Sequence, residues 1–146
     1  MYKDILLPID LEHDSSWKNA LPVSIEYAQA FNSTVHVMTV IPDSGMSIVN
    51  HYFSKDAVKK IIDETQKKLH EFVADNIPDD ITVQHIVTTG NVYESIISTA
   101  QQIDADLIIM SAHRPELKDY LLGPNAARVV RHSDKSVLVV REPNGD

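Results

Sequence analysis

The chain has 146 residues, 43% of them hydrophobic, and no cysteine. That length suits one domain with a core of its own, and the missing thiols exclude disulfides, cysteine-based zinc sites and thiol catalysis. Lys and Arg number 13 against 21 Asp and Glu, a formal charge of -8, so the mean surface field opposes binding to nucleic-acid phosphates.

The longest apolar runs, such as 107–110 and 137–140, are strand-sized and too short to span a bilayer. The opening residues 1–8 hold no apolar stretch of signal-peptide length. We therefore expect a cytoplasmic chain without membrane insertion.

In chain order, residues 5–9 (Ile-Leu-Leu-Pro-Ile) form a short apolar run ended by Asp10, the pattern of a buried strand. Ser15 or Ser16 is placed to cap a helix in which Trp17, Ala20, Leu21, Ile25, Ala28 and Phe31 recur at helical spacing. Pro22 conflicts with the interior of that helix, since it lacks an N–H and crowds the preceding turn. A kink or a later helix start is expected. Residues 34–41 alternate and are rich in β-branched side chains, which predicts a second strand. Residues 42–53 carry Pro, Asp, Ser and Gly and read as a loop.

Ser54 can cap a long helix whose apolar stripe is Val58, Ile61, Ile62, Leu69, Phe72 and Val73, with Lys and Glu opposite. Pro78-Asp79-Asp80 ends it. Residues 81–88 predict a third strand, followed by Gly90. Asn91 with Glu94 resembles a capping box ahead of a helix carrying Val92, Ile96, Ile97 and Ala100. Residues 106–112 predict a fourth strand, and a polar loop runs to Gly123. Residues 124–132 read as a fourth helix with Pro near its first position, 136–141 as a fifth strand, and 142–146 as a polar tail.

Strict alternation of strand and helix predicts a parallel sheet with helices on both faces and right-handed crossovers. No repeat or linker is visible, so one domain over residues 1–146 is expected. Alternation leaves the strand order open. In any doubly wound order, ligands sit beyond the strand carboxyl ends at the topological switch point.

That rule singles out Pro8-Ile9-Asp10, the stretch from Val40 to Asp43, and the segment from Met110 to Ala126. In the last, a strand leads to His113 and Arg114, and Gly123 then opens a helix. A helix start preceded by glycine offers amides and a dipole to an anion, and an arginine adds a fork of donors. Blander roles fit the same residues. Asp10 can cap a turn, Arg114 can be solvated, His113 can brace its loop, and Gly123-Pro124 can simply start a helix. The other histidines, His13, His36, His51, His70, His85 and His132, lack metal-ligand spacing, so no metal site is expected. No nucleophile elbow, Walker loop or Ser/His/Asp signature is present.

The opening Tyr-Lys-Asp-Ile-Leu-Leu-Pro-Ile-Asp resembles the first strand of the universal stress protein family, which ends in Pro-x-Asp. The closing Leu-Leu-Gly-Pro-Asn-Ala-Ala-Arg-Val-Val-Arg-His-Ser-Asp-Lys-Ser-Val-Leu-Val-Val-Arg is similar to the family's C-terminal signature. The resemblance implies a flavodoxin-like α/β fold, a single open doubly wound parallel sheet of five strands in order 3-2-1-4-5 with four helices. It also implies a homodimer through the C-terminal strand.

Carried over position by position, the resemblance implies that Pro8, Ile9 and Asp10 line the adenosine end. Val40 meets the adenine edge, and Met110 and Ser111 pass the ribose and phosphates. His113, Arg114, Gly123, Pro124, Asn125 and Ala126 complete the phosphate end. The family's first two glycines fall on Ser111 and Arg114, eight residues rather than nine separate Arg114 from Gly123, and Pro124 replaces the Ser or Thr after the last glycine. The His-Arg-Pro variant looks like a sub-branch that still handles adenine nucleotides. The expected function is therefore binding of ATP, ADP or AMP, with Mg²⁺ able to accompany ATP, in a stress-response or regulatory protein without strong catalysis. The alternatives are a nucleotide-free dimeric interaction protein and a weak ATP hydrolase.

Overall fold

In the computed structural model, which describes residues 1–42, 55–112 and 124–141, the apolar runs become five strands. They are β1 (Asp4–Pro8), β2 (Thr34–Pro42), β3 (Thr82–Gly90), β4 (Leu107–Ser111) and β5 (Ser136–Val140). All pair in parallel in the order β3-β2-β1-β4-β5. The described helices are α1 (Ala20–Phe31), α2 (Lys55–Asn76), α3 (Val92–Gln102) and α4 (Asn125–His132).

The period of two along each strand sorts side chains to opposite faces of the sheet. Ile5, Leu7, Val35, Val37, Leu107 and Ile109 join Leu21 and Ala28 of α1 and Leu69 of α2 in one apolar cluster. Leu6, Met38, Ile108 and Met110 join Ile96 of α3 and Val129 of α4 in the other. Both faces of the central strands are thus covered, which is why these strands are continuously apolar rather than alternating. Strand order and helix placement are those of the flavodoxin-like α/β fold.

Several local expectations change in the folded chain. Neither Ser15 nor Ser16 caps α1; with Asp14 they form a 3-10 turn, and Ser16 is buried. The helix starts only at Ala20, so Pro22 falls in its first turn, where an N–H has no partner within the helix. That later start removes the conflict, and no kink is needed. α1 closes at Asn32 in the left-handed conformation (φ 54°). β3 extends to Gly90 because β2 supplies partners that far, pairing Pro42 with Gly90. Gly90 has φ 129°, which suits a residue without a Cβ. β4 starts one residue late, since the Asp106 carboxylate instead accepts the Lys3 and Asp4 amides at 2.8 and 2.9 Å. β1 and β5 likewise stop at Pro8 and Val140.

Half of the expected capping box forms: Asn91 Oδ1 accepts from the Glu94 amide at 3.2 Å. The turn after α3 puts Asp104 at φ 52° and sets its carboxylate 2.9 Å from Lys135 Nζ. Lys135 holds this exposed carboxyl below its ordinary value. Pro42 ends β2 rather than opening the loop expected at 42–53; the rest of that loop, Ser54, the loop at 113–122 and the tail lie outside the described residues.

Ile108 is fully buried between the β1 and β5 pairings and the helices of the second cluster. Ile108→Ala should lower unfolding free energy by about 2–5 kcal/mol, the usual cost of such a cavity. Urea titration checks this, with the midpoint falling and the slope unchanged. A loss within ~0.5 kcal/mol would mean that the layers repack freely around this position.

Candidate functional site

After β1 the chain winds to β2 on one side, and after β3 it crosses to β4 on the other. The carboxyl ends of β1 and β4 therefore border the switch point. From β1 the chain runs on through Ile9, whose amide donates to the Met38 carbonyl at 2.8 Å. Ile9 and Asp10 are each 2% exposed.

Ser16 ties this end together. Its hydroxyl accepts from the Asp10 amide at 2.9 Å and donates to the His13 carbonyl at 2.7 Å. Its carbonyl accepts from Ser111 Oγ at 2.8 Å. One buried residue thus joins the end of β1 to the end of β4, with Asp10 and Ser111 brought to either side of it. The Asp10 carboxylate accepts from the Glu12 amide at 3.0 Å through Oδ1, while Oδ2 lies 2.9 Å from His13 Nδ1. A buried carboxylate needs such partners to offset its lost hydration.

Val40, Met110 and Ala126 meet in the apolar cluster under α3 and α4. Asn125 and Ala126 open α4 and are buried. Pro124 is exposed ahead of them with helix-like φ −76° and ψ −12°. It thus sits at the cap, one residue before the first helical position expected of it. His113, Arg114 and Gly123 lie outside the described residues. The described part of the site is a buried floor: apolar side chains, one acidic group, and backbone at strand and helix ends. Such a floor can seat a flat ring and offer the Asp10 carboxylate to hydroxyl or amino hydrogens.

Two residues beyond the expected set matter here. Ser16 is a positioning residue that sequence reading places at a helix cap, and His13 was one of several scattered histidines. The spacing Asp10-x-x-His13 with a serine at 16 is the available signal, because Asp side chains fold back on amides two residues ahead in tight turns.

Two clefts lie nearby. One, of about 440 Å³, runs along α4 and β5 and is lined by Ala112, Ala126, Ala127, Val130, Val139 and Arg141. A polar one of about 430 Å³ runs along α3, with Thr88, Asn91, Glu94 and Ser98 among its walls; Thr88 is the β3 partner of Val40. Thr88 Oγ1 has no hydrogen-bond partner among the described residues, and among them the charged wall residue is Glu94.

Residues 1–141 match the family model described as "Universal stress protein family". Universal stress protein G of Escherichia coli O157:H7 is 27% identical over 144 residues, covering 97% of this chain and 100% of that protein. The structure of MJ0577, a universal stress protein of Methanocaldococcus jannaschii, superposes with a TM-score of 0.72 at 28% identity, covering 99% of each chain. A universal stress protein in complex with cAMP (TM-score 0.59, 22% identity, 96% and 97% covered) shares the fold. So does one from Archaeoglobus fulgidus in complex with dAMP (0.67, 19%, 95% and 98%). The chain belongs to the universal stress protein family.

Proposed function

We propose that the chain is one domain over residues 1–146 that binds an adenine nucleotide (ATP, ADP or AMP) at the switch-point crevice. In this reading it acts as a regulatory stress protein without strong catalytic activity. The observation that carries the reading is the Ser16 link, which holds Asp10 and Ser111 at the meeting of β1 and β4. Open α/β sheets bind ligands at that place. Relatives of the same fold in complex with cAMP and dAMP support the ligand class.

The roles follow from chemistry. Pro8, Ile9 and Val40 supply apolar contact for the base, and Met110 passes beside the ribose and phosphates. The Asp10 carboxylate accepts from ribose hydroxyls or the adenine amino group, and it repels phosphate, so it marks the adenosine end. Ser111, Asn125 and Ala126 lie toward the phosphates, where the start of α4 favours negative charge. His113, Arg114 and Gly123 complete that end in this proposal. Where ATP is the occupant, Mg²⁺ can travel with its phosphates.

Pro124 sets the balance between the two ends. It stands at the cap of α4 with no N–H and no hydroxyl to offer. The terminal phosphates should then add little, and AMP and ATP should bind within about tenfold of each other, or about 1.4 kcal/mol. Pro124→Ser restores two donors and should widen the difference in favour of ATP. Calorimetric titration of both nucleotides on both chains measures this. A hundredfold ATP preference in the natural chain, or no ATP gain in the variant, would assign the phosphates to other groups.

A second property is favoured by the edge strand β5. Its Val137, Leu138, Val139 and Val140 are only partly buried, and Val130 beside it on α4 is 51% exposed. An open apolar edge invites pairing with another chain, and we assign to it a homodimer. Val139→Lys should give monomers in sedimentation velocity; an unchanged dimer would place the interface elsewhere.

A further inference from the structure

α2 lies against the sheet face to which Leu69, Phe72 and Val73 contribute, together with Val83 and Val87 of β3. His85 stands between those two valines and, by the strand's period of two, on the same face. Its ring stacks on that of His70 from α2, with centroids 3.7 Å apart and planes inclined by 14°. β3 is the edge of the sheet, so this stack closes the rim of the α2 layer.

The surroundings offer little to a charged ring. Opposite His85, β2 presents Val37, which is fully buried and flanked by Val35 and Thr39. α3 packs on the other face of β3, through Ile86. On α2 the charged neighbours of His70 are Lys67, one turn earlier, and Glu71, and both are exposed. Among the described residues neither imidazole has a hydrogen bond or ion pair. Two neutral rings stack favourably, whereas two imidazolium rings at this separation repel and one of them is partly withdrawn from water.

We propose that the His70–His85 stack is an acid-sensitive latch, closed while the rings are neutral, that releases α2 from edge strand β3 when both protonate. Burial, and then the charge on His70, lowers the pKa of His85 below the ordinary histidine value of 6.5. The folded chain therefore binds fewer protons there than the unfolded chain. The latch contributes fully above that value, and its contribution is lost as pH falls from 6.5 through the lowered native one. The latch is independent of any nucleotide.

Amide hydrogen exchange on the full chain tests it, expressed as protection factors at about pH 7.5 and about pH 5.5, where histidines change charge. Protection in α2 and β3 should fall roughly fivefold more than in β1 and β4, the size of a modest local destabilisation. His70→Phe keeps an aromatic face on an exposed helix position and removes the charge of His70, so it should reduce the extra loss to what the burial of His85 alone causes. A ring titration of His85 by NMR needs no variant to show the low midpoint, which His70→Phe should raise. No selective loss in the natural chain, the same loss in His70→Phe, or an ordinary His85 midpoint would each overturn the latch.

Discussion

The Ser16 hydroxyl and carbonyl are where the two halves of the sheet meet at the candidate site. Strands β3, β2 and β1 lie on one side and β4 and β5 on the other, and at their carboxyl ends Ser16 reaches both. A buried hydroxyl has to satisfy its donor and its acceptor, so the turn at 14–16 has little freedom in how it crosses the end of β1. That constraint delays α1 until Ala20, which in turn makes Pro22 acceptable. It also places the Asp10 carboxylate among its turn partners rather than loose at the mouth of the crevice.

A chain of net charge -8 needs local positive potential to hold an anion. In the proposed site this comes from Arg114 and from the backbone at the start of α4, whose last turn carries Arg131 and His132 against the opposite pole. The field of amides at fixed positions acts at short range, where the overall charge is screened within about 8–10 Å. Asp10 opposes phosphate at the other end of the crevice, so one site can orient a nucleotide without a strong cationic patch.

Much of this architecture was legible in the residues. Continuous aliphatic runs such as Leu-Ile-Ile-Met at 107–110 mark strands buried on both faces, and Asn91 with Glu94 marks a helix start that forms as expected. Strand order was not legible from periodicity, because parallel pairing is set by long-range packing; the resemblance supplied it. Ser16 reads as a cap because its type and place suit one, but its hydroxyl is taken by the Asp10 amide and the His13 carbonyl, and its carbonyl by Ser111, 95 residues away. The His70–His85 stack was invisible for a similar reason, since only the packing of α2 on β3 brings the rings together. Element ends slipped by a residue or two where a partner strand or a side chain, such as the Asp106 carboxylate, decides them.

In the proposed complex an adenine nucleotide lies across the ends of β1, β2 and β4 and the start of α4. Titration of the isotopically labelled chain with AMP, followed by amide chemical shifts, tests it most directly. The largest changes should fall at Ile9, Asp10, Val40, Ser111, Asn125 and Ala126, with smaller ones along the α3 cleft at Asn91 and Glu94. Changes gathered along that α3 cleft instead, or none with AMP at ~1 mM, where even a weak complex of about 4 kcal/mol would be half formed, would contradict it.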